Sequence, residues 1–181
     1  PFMMQHPQAP DTEYTKKVRS LMVALSGRVD VDGLVLGSRF ALSPENLRRY
    51  RLVVIPQDMG LGLSEAMAAS LRAYLAQGGQ VLLLATALAQ SRADLTEVRD
   101  LTAELFGVEI VGPRLPGYVR PEGALVPAGL GKTWAAGQVE VRRGDAEVVL
   151  SDSLTGAPLV LRRGGAWFAT MGFAPEAGAV M

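Results

Sequence analysis

The 181-residue chain carries 18 basic and 18 acidic side chains, one histidine and no cysteine. The missing cysteine excludes disulfides, thiolate zinc sites and a cysteine nucleophile, and the balanced charge excludes a net field that would draw the chain to nucleic acid or an anionic membrane. With 49% hydrophobic and 20% charged residues, and no apolar run near the ~20 residues that span a bilayer, the composition fits a soluble α/β domain able to bury a real core. Without cysteine the redox compartment is not readable, and the expectation favours cytoplasmic over secreted.

Taken in order, residues 1–10 (PFMMQHPQAP) hold three prolines and no periodicity, and read as an irregular arm or linker. The start at Pro1 instead of an initiator Met suggests a piece of a longer polypeptide. Residues 11–181 read as one α/β domain, with 112–175 as a β-rich extension of it. A helix is expected from Asp11, its apolar face formed by Val18, Leu21, Met22 and Leu25 and its stop by Gly27. A strand carrying a bend or bulge at Gly33 comes next, over 29–36. Ser43-Pro44-Glu45 combines a cap, a proline suited to the first helical position and an acid at the positive end of the dipole, so a short helix should run to about Arg49.

The stretch 51–87 organises the rest. Leu52-Val53-Val54-Ile55, closed by Pro56, and Val81-Leu82-Leu83-Leu84-Ala85 are short continuous apolar runs suited to strands buried on two faces. Between them Leu63, Met67, Leu71, Tyr74 and Leu75 fall on one helical stripe. Gly78-Gly79 ends that helix, and the three elements form a βαβ unit with parallel strands. Asp94-x-x-Glu97 has the form of a capping box before the stripe Val98, Leu101, Leu105 and Phe106. Gly107 stops this helix and a strand is expected over 108–111. From Gly112 the texture changes to frequent Gly and Pro and short β-like runs over 138–141, 147–150, 159–161 and 167–171. Arg143-Gly144-Asp145 and Arg163-Gly164-Gly165 sit between them at hairpin-like distances. Antiparallel strands at one sheet edge, or a small second sheet, are the expectation.

Sites are sparse. Gly129-Leu130-Gly131-Lys132-Thr133 resembles the tail of a phosphate-binding loop, but Val126 stands where the first glycine belongs and Pro127 has no amide to donate, so a flexible turn is the better reading. His6 lies in the proline-rich arm, away from any nucleophile the fold would hold, and a single histidine without cysteine makes a poor metal centre. In an open α/β sheet, ligands sit outside the carboxyl ends of the strands. That rule selects Gln57, Asp58, Ser64, Thr86, Gln90 and Ser91 as lining a candidate crevice, against their being ordinary loop and strand-end residues. Asp94, Glu97, Asp100 and Glu104 read as the wet face of an amphipathic helix. Tyr118, Trp134 and Trp167 read either as a sugar-stacking surface or protein hot spot, or as core.

The run Tyr50 to Pro56, Leu63-Ser64 opening a helix, and Leu71-Arg72-Ala73-Tyr74-Leu75-Ala76-Gln77-Gly78-Gly79-Gln80-Val81-Leu82-Leu83-Leu84 together resemble the class I glutamine amidotransferase-like fold. The form it looks most like is the trimerisation domain of glycoside hydrolase family 42 β-galactosidases. Leu105-Phe106-Gly107-Val108 and the segment 146–170 are similar too, so the likeness covers about 12–175. It implies a flavodoxin-like three-layer sandwich with a mostly parallel sheet and a β-rich C-terminal part. The amidotransferase pattern Cys-x-Gly-x-Gln would place its nucleophile at Thr86 and its glycine at Leu88, and only Gln90 matches. A Thr hydroxyl without an activating histidine is a poor nucleophile, so no catalytic residue, cofactor or metal is expected. The resemblance implies subunit assembly, or service to a neighbouring catalytic domain whose barrel, about 250 residues, has no room in this chain. Expected partners are therefore another copy of the chain or an adjoining catalytic domain, with carbohydrate as a possible ligand and neither nucleic acid nor membrane. Two rivals stand beside this reading: a small-molecule or sugar-binding module using the crevice, and a hydrolase using Thr86 or Ser91 with Asp58.

Overall fold

The computed structural model describes residues 43–56, 65–84, 102–126, 131–135 and 138–171. The expected arm at 1–10, helix from Asp11, strand at 29–36 and capping box at Asp94 lie outside them. In chain order come α1 (Pro44–Leu47), β1 (Leu52–Pro56), α2 (Glu65–Ala76), β2 (Gln80–Leu84), helical residues 102–106, β3 (Val108–Arg114), β4 (Gly117–Val119), β5 (Pro121–Glu122), β6 (Thr133–Ala135), β7 (Gln138–Arg143), β8 (Glu147–Asp152), β9 (Pro158–Arg163) and β10 (Ala166–Ala169). Among the described residues, no helix is long and apolar enough to cross a membrane.

The βαβ unit forms as its residue pattern requires. The Ser43 hydroxyl caps α1 by accepting from the Asn46 amide at 3.3 Å. Strands β1 and β2 pair in parallel from Leu52↔Gln80 to Pro56↔Leu84. Helix α2 presents Ala68, Leu71 and Tyr74 to Val53, Ile55, Val81 and Leu83, all of them buried. Each large apolar side chain so buried contributes about 1.5–3 kcal/mol of transfer free energy. The Tyr74 ring is buried, and its hydroxyl escapes isolation by donating to the Tyr50 carbonyl at 2.8 Å, which fastens the helix to the entry of β1. Burial pushes the pKa of this hydroxyl up, against a smaller opposing effect of the Gln80 backbone.

The sheet differs from expectation in one respect. Its six described strands run β1-β2-β10-β9-β8-β5. β2 pairs in parallel with both β1 and β10, whereas β10–β9, β9–β8 and β8–β5 are antiparallel. The described sheet is therefore mixed, not mostly parallel. The reason is the two-residue turn Gly164-Gly165, which folds β9 back on β10 and permits only antiparallel pairing. The turn Arg143-Gly144-Asp145, in contrast, closes no hairpin. β7, which leads into it, pairs with β3, while β8 enters the central sheet. The strand expected to end at Val111 continues through Gly112 and Pro113 to Arg114 by means of a register shift between Ile110 and Gly112.

One face of the sheet carries the principal core. Phe168, Leu161 and Ala166 join the βαβ residues there, covered by Leu105 and Phe106 of the helical residues 102–106 and by Val108, Ile110 and Val139 of the β3–β7 ribbon. Phe106 meets Phe168 edge-on with ring centroids 6.0 Å apart. Gly107 ends the helical turn at φ +65°, and a Cβ there would also strike the Asp145 carboxylate at 2.2 Å. A smaller cluster of Val119, Ala135 and Leu159, with Leu150 and Met171 against it, holds the β4–β6 ribbon to the sheet.

The Gly78-Gly79 pair divides its labour. Gly78 takes φ +86°, the left-handed conformation of a helix stop, whereas at Gly79 a Cβ would lie 2.3 Å from the Tyr74 ring. Gly79→Ala is accordingly expected to lower unfolding free energy by about 1–3 kcal/mol through overpacking. Gly117→Ala, where a Cβ meets nothing within 4 Å, should change it by less than about 0.5 kcal/mol. Urea denaturation of both variants checks the contrast.

Candidate functional site

Three surfaces could serve as a site: the carboxyl edge of the parallel strands, an open groove at their amino edge, and the β4–β6 ribbon. At the carboxyl edge, register aligns the last residues of three neighbouring strands, Pro56↔Leu84 and Leu84↔Ala169. The segments carrying Gln57 and Asp58 and those carrying Thr86, Gln90 and Ser91 thus depart from adjacent strands on the same sheet edge. Gln57, Asp58, Ser64, Thr86, Gln90 and Ser91 themselves lie outside the described residues. Thr170, directly after β10, is buried at this edge and fully engaged. Its hydroxyl donates to the Pro158 carbonyl at 2.9 Å, its amide to the Leu159 carbonyl at 2.9 Å, and its carbonyl accepts from the Val139 amide at 2.8 Å.

The groove at the amino edge is lined by Arg72, Leu75, Glu104, Leu105, Arg163, Gly164 and Gly165. Its charges satisfy one another. Arg72 clamps the Glu104 carboxylate through Nε and through Nη2, the latter at 2.8 Å, and Arg163 pairs with Asp145 at 2.9 Å while also donating to the Glu104 carbonyl. The hydrogen bond from Arg72, reinforced by the charges of Arg72 and Arg163, holds the Glu104 carboxyl below its ordinary range. Such a network locks α2 to the helical residues 102–106 and leaves no evident charge for a ligand. Glu104, read from the sequence as part of a wet helix face, is indeed exposed but spans two elements.

The β4–β6 ribbon is built differently. Tyr118 and Trp134 are cross-strand partners, and their rings meet edge to face at 5.1 Å and 72°. Both stay accessible, Tyr118 at 63% and Trp134 at 42%, while the alternate residues Val119 and Ala135 turn inward to the small core cluster. The third aromatic candidate, Trp167, lies elsewhere: it is half-buried on β10 beneath the Arg162 guanidinium, 5.1 Å from the ring centroid. The structure thus brings two of the three aromatic candidates together. The phosphate-loop fragment is disposed of by its context, because after the exposed Gly131 and Lys132 the chain enters strand β6 at Thr133 where a phosphate loop needs a helix.

What fastens this ribbon is a residue that the sequence pattern did not single out. Asp152, 1% exposed, ends β8 and accepts from the Arg120 amide at 2.9 Å, the Leu154 amide at 3.2 Å and the Thr155 hydroxyl at 2.6 Å. The Arg120 carbonyl in turn accepts from the Ser153 amide at 2.9 Å, so both backbone groups of Arg120, directly after β4, are tied to the β8–β9 turn. A local signal is present: in Asp152-Ser-Leu-Thr155-Gly156, an Asx-turn acid precedes a hydroxyl and a glycine, here at φ +72°. Burial alone would raise the pKa of Asp152, but the hydrogen bonds from Thr155, Arg120 and Leu154, with the Arg114 charge, outweigh it and leave the carboxyl below its ordinary range. Among the described residues, no group of three or more His, Cys, Asp or Glu is placed to hold a metal ion.

A carboxylate with a depressed folded pKa contributes stability above the unfolded pKa and loses it as pH falls through the folded one. Asp152→Ala should therefore cost about 1–3 kcal/mol at pH 7 by leaving buried amides without an acceptor. The gap between wild type and variant should narrow as pH falls below about 4. Denaturant titrations at pH 7 and at acid pH measure both effects.

No protein-family model and no curated protein sequence matches this chain. Solved structures do resemble it. An exo-β-1,4-mannosidase from Opitutaceae bacterium strain TAV5 aligns over 88% of this chain at 19% identity with a TM-score of 0.61. A β-galactosidase from the psychrophilic Marinomonas ef1 aligns over 97% at 15% identity, and a ThuA-like protein from Bacteroides uniformis over 93% at 16% identity, each with a TM-score of 0.61. The chain spans 26% of the mannosidase, 25% of the β-galactosidase and 80% of the ThuA-like protein. At such identities the likeness establishes the fold, a mixed α/β domain of a kind that also occurs within glycosidases.

Proposed function

We propose that this chain is a non-catalytic, amidotransferase-like domain that assembles subunits of a carbohydrate-active enzyme of the β-galactosidase type, or serves such an enzyme as an accessory. The observation that carries the reading is the asymmetry of the structural match. Nearly all of this chain corresponds to about a quarter of a mannosidase and of a β-galactosidase. A unit of that size beside a larger remainder suits assembly or accessory work, carried by contacts between domains. One feature supports this reading: the strand Gln80–Leu84 leads towards Thr86, where the amidotransferase pattern needs a cysteine.

A second reading, a small-molecule or sugar-binding crevice, draws on the alignment of strand ends at Pro56, Leu84 and Ala169. This is the sheet edge where open α/β folds take ligands.

Light scattering on the purified chain is expected to return a multiple of 19.2 kDa, or a defined complex once the adjoining catalytic polypeptide is supplied. A strict monomer that also ignores that polypeptide would sink the assembly reading. The hydrolase rival requires Thr86→Ala or Asp58→Ala to abolish a measured activity, and we expect both variants to leave assembly unchanged.

A further inference from the structure

We infer that the outward face of the β4–β6 ribbon is a carbohydrate-binding platform, on which Tyr118 and Trp134 stack against the apolar faces of a neutral oligosaccharide while Arg120, Lys132 and Glu122 engage its hydroxyls. This deepens the accessory reading and rests on it only in the choice of probes. Exposure alternates along the chain, with Tyr118, Arg120 and Glu122 accessible and Val119 and Pro121 buried. Alternation therefore puts Tyr118 and Arg120 on one side, with Glu122 beyond them on β5, which pairs with β8. In the facing strand, Lys132 and Trp134 are exposed and Ala135 is buried. The register Tyr118↔Trp134 and Val119↔Thr133 leads on to Arg120 beside Lys132. Two aromatic rings are thus continued by two cations and, beyond them, a carboxylate.

The platform is rigid where it needs to be. Asp152 and Ser153 hold the amide and carbonyl of Arg120, and the edge-to-face contact sets each ring against the other. Binding then freezes little backbone, which favours a shallow site.

Size and charge select the occupant. At 63% and 42% exposure, the two rings offer roughly 200 Å², the scale of a small ligand. A pair of cations beside a carboxylate is too weak a field for nucleic acid, whose binders neutralise several phosphates. Glu122 likewise opposes a polyanion. Hydroxyl groups both donate and accept, so they match a rim holding the donors of Arg120 and Lys132 and the acceptor of Glu122. A sugar ring supplies the flat apolar face that an open ribbon can grip.

The test is tryptophan fluorescence of the full 181-residue chain in a Trp167→Phe background, so that Trp134 alone reports. The chain is titrated with β-1,4-linked tetrasaccharides of mannose, galactose and glucose, and with trigalacturonate as the acidic probe. Saturable binding of at least one neutral tetrasaccharide is expected. Followed by calorimetry, Trp134→Ala should weaken it about tenfold or more, Tyr118→Ala about threefold or more, and Trp134→Phe less than about threefold. Absence of saturation to about 10 mM with every neutral probe, unchanged affinity in Trp134→Ala and Tyr118→Ala, or a preference for trigalacturonate over all neutral sugars would each overturn the inference. Assembly without sugar binding defeats this inference alone, and sugar binding by a chain that neither self-associates nor meets a catalytic partner defeats the assembly reading alone.

Discussion

The fold depends on a close approach between two backbones. β10 is seated beside β2 with the Val81 amide donating to the Gly165 carbonyl at 2.9 Å, and a Cβ on Gly165 would stand 2.5 Å from the Gly79 carbonyl oxygen. Gly79 is in turn pressed against the Tyr74 ring. Helix α2, the α2–β2 turn and the β9–β10 hairpin therefore converge at a place with no room for side chains. Through this contact the antiparallel strands β9, β8 and β5 are joined to the parallel βαβ unit as one sheet. Phe168 completes the join, because it is buried between β2 and the helical residues 102–106 and is met there by Phe106.

The two ends of the parallel strands have different characters. At the amino edge, Arg72, Glu104, Arg163 and Asp145 neutralise one another across three elements. Exposed ion pairs of this type contribute little each, but they fix the geometry of an edge where the backbones already crowd. At the carboxyl edge β1, β2 and β10 end in register, next to a Thr170 whose amide, carbonyl and hydroxyl are all engaged. The β4–β6 ribbon, packed through Val119 and Ala135 against Leu159, combines a buried acidic anchor with an accessible aromatic pair. Enclosing a charged carboxylate almost completely is costly unless it is fully hydrogen-bonded, and Asp152 meets that condition with three donors. The rigidity thus secured is delivered to Arg120, the residue next to the aromatic face.

Much of this was legible along the chain. The apolar runs at 52–55 and 81–85, the Ser43-Pro44-Glu45 cap, the stripe through Leu71 and Tyr74 and the stops at Gly78 and Gly107 all specify local structure by short-range physics. Continuous apolar character called for strands buried on both faces; in β2, Val81, Leu83 and Leu84 are buried and Leu82 half-buried, whereas in β1 Leu52 is exposed and Val54 half-buried. The β-rich texture after Gly112 was legible as well, though not its division among the three described sheets. The turn Arg143-Gly144-Asp145 has the composition of a hairpin and joins two different sheets, because β8 on its far side is captured by β9 and β7 on its near side by β3.

By itself, then, the amino-acid order determined where the capped and glycine-stopped helices and the main apolar strands lie, that the first described strands run parallel, and that the chain holds no cysteine nucleophile. Propensity, periodicity, capping and residue chemistry are enough for these, and none of them needs a distant partner. Tertiary structure alone decided that the β9–β10 hairpin docks on β2 through β10, that Gly79 is required by Tyr74 as much as by the helix stop, and that Tyr118 and Trp134 share one exposed face while Trp167 does not. Strand order and the choice between core and surface for an aromatic ring are set by which segments compete for the same edge and the same buried face. That competition is between residues far apart in the chain.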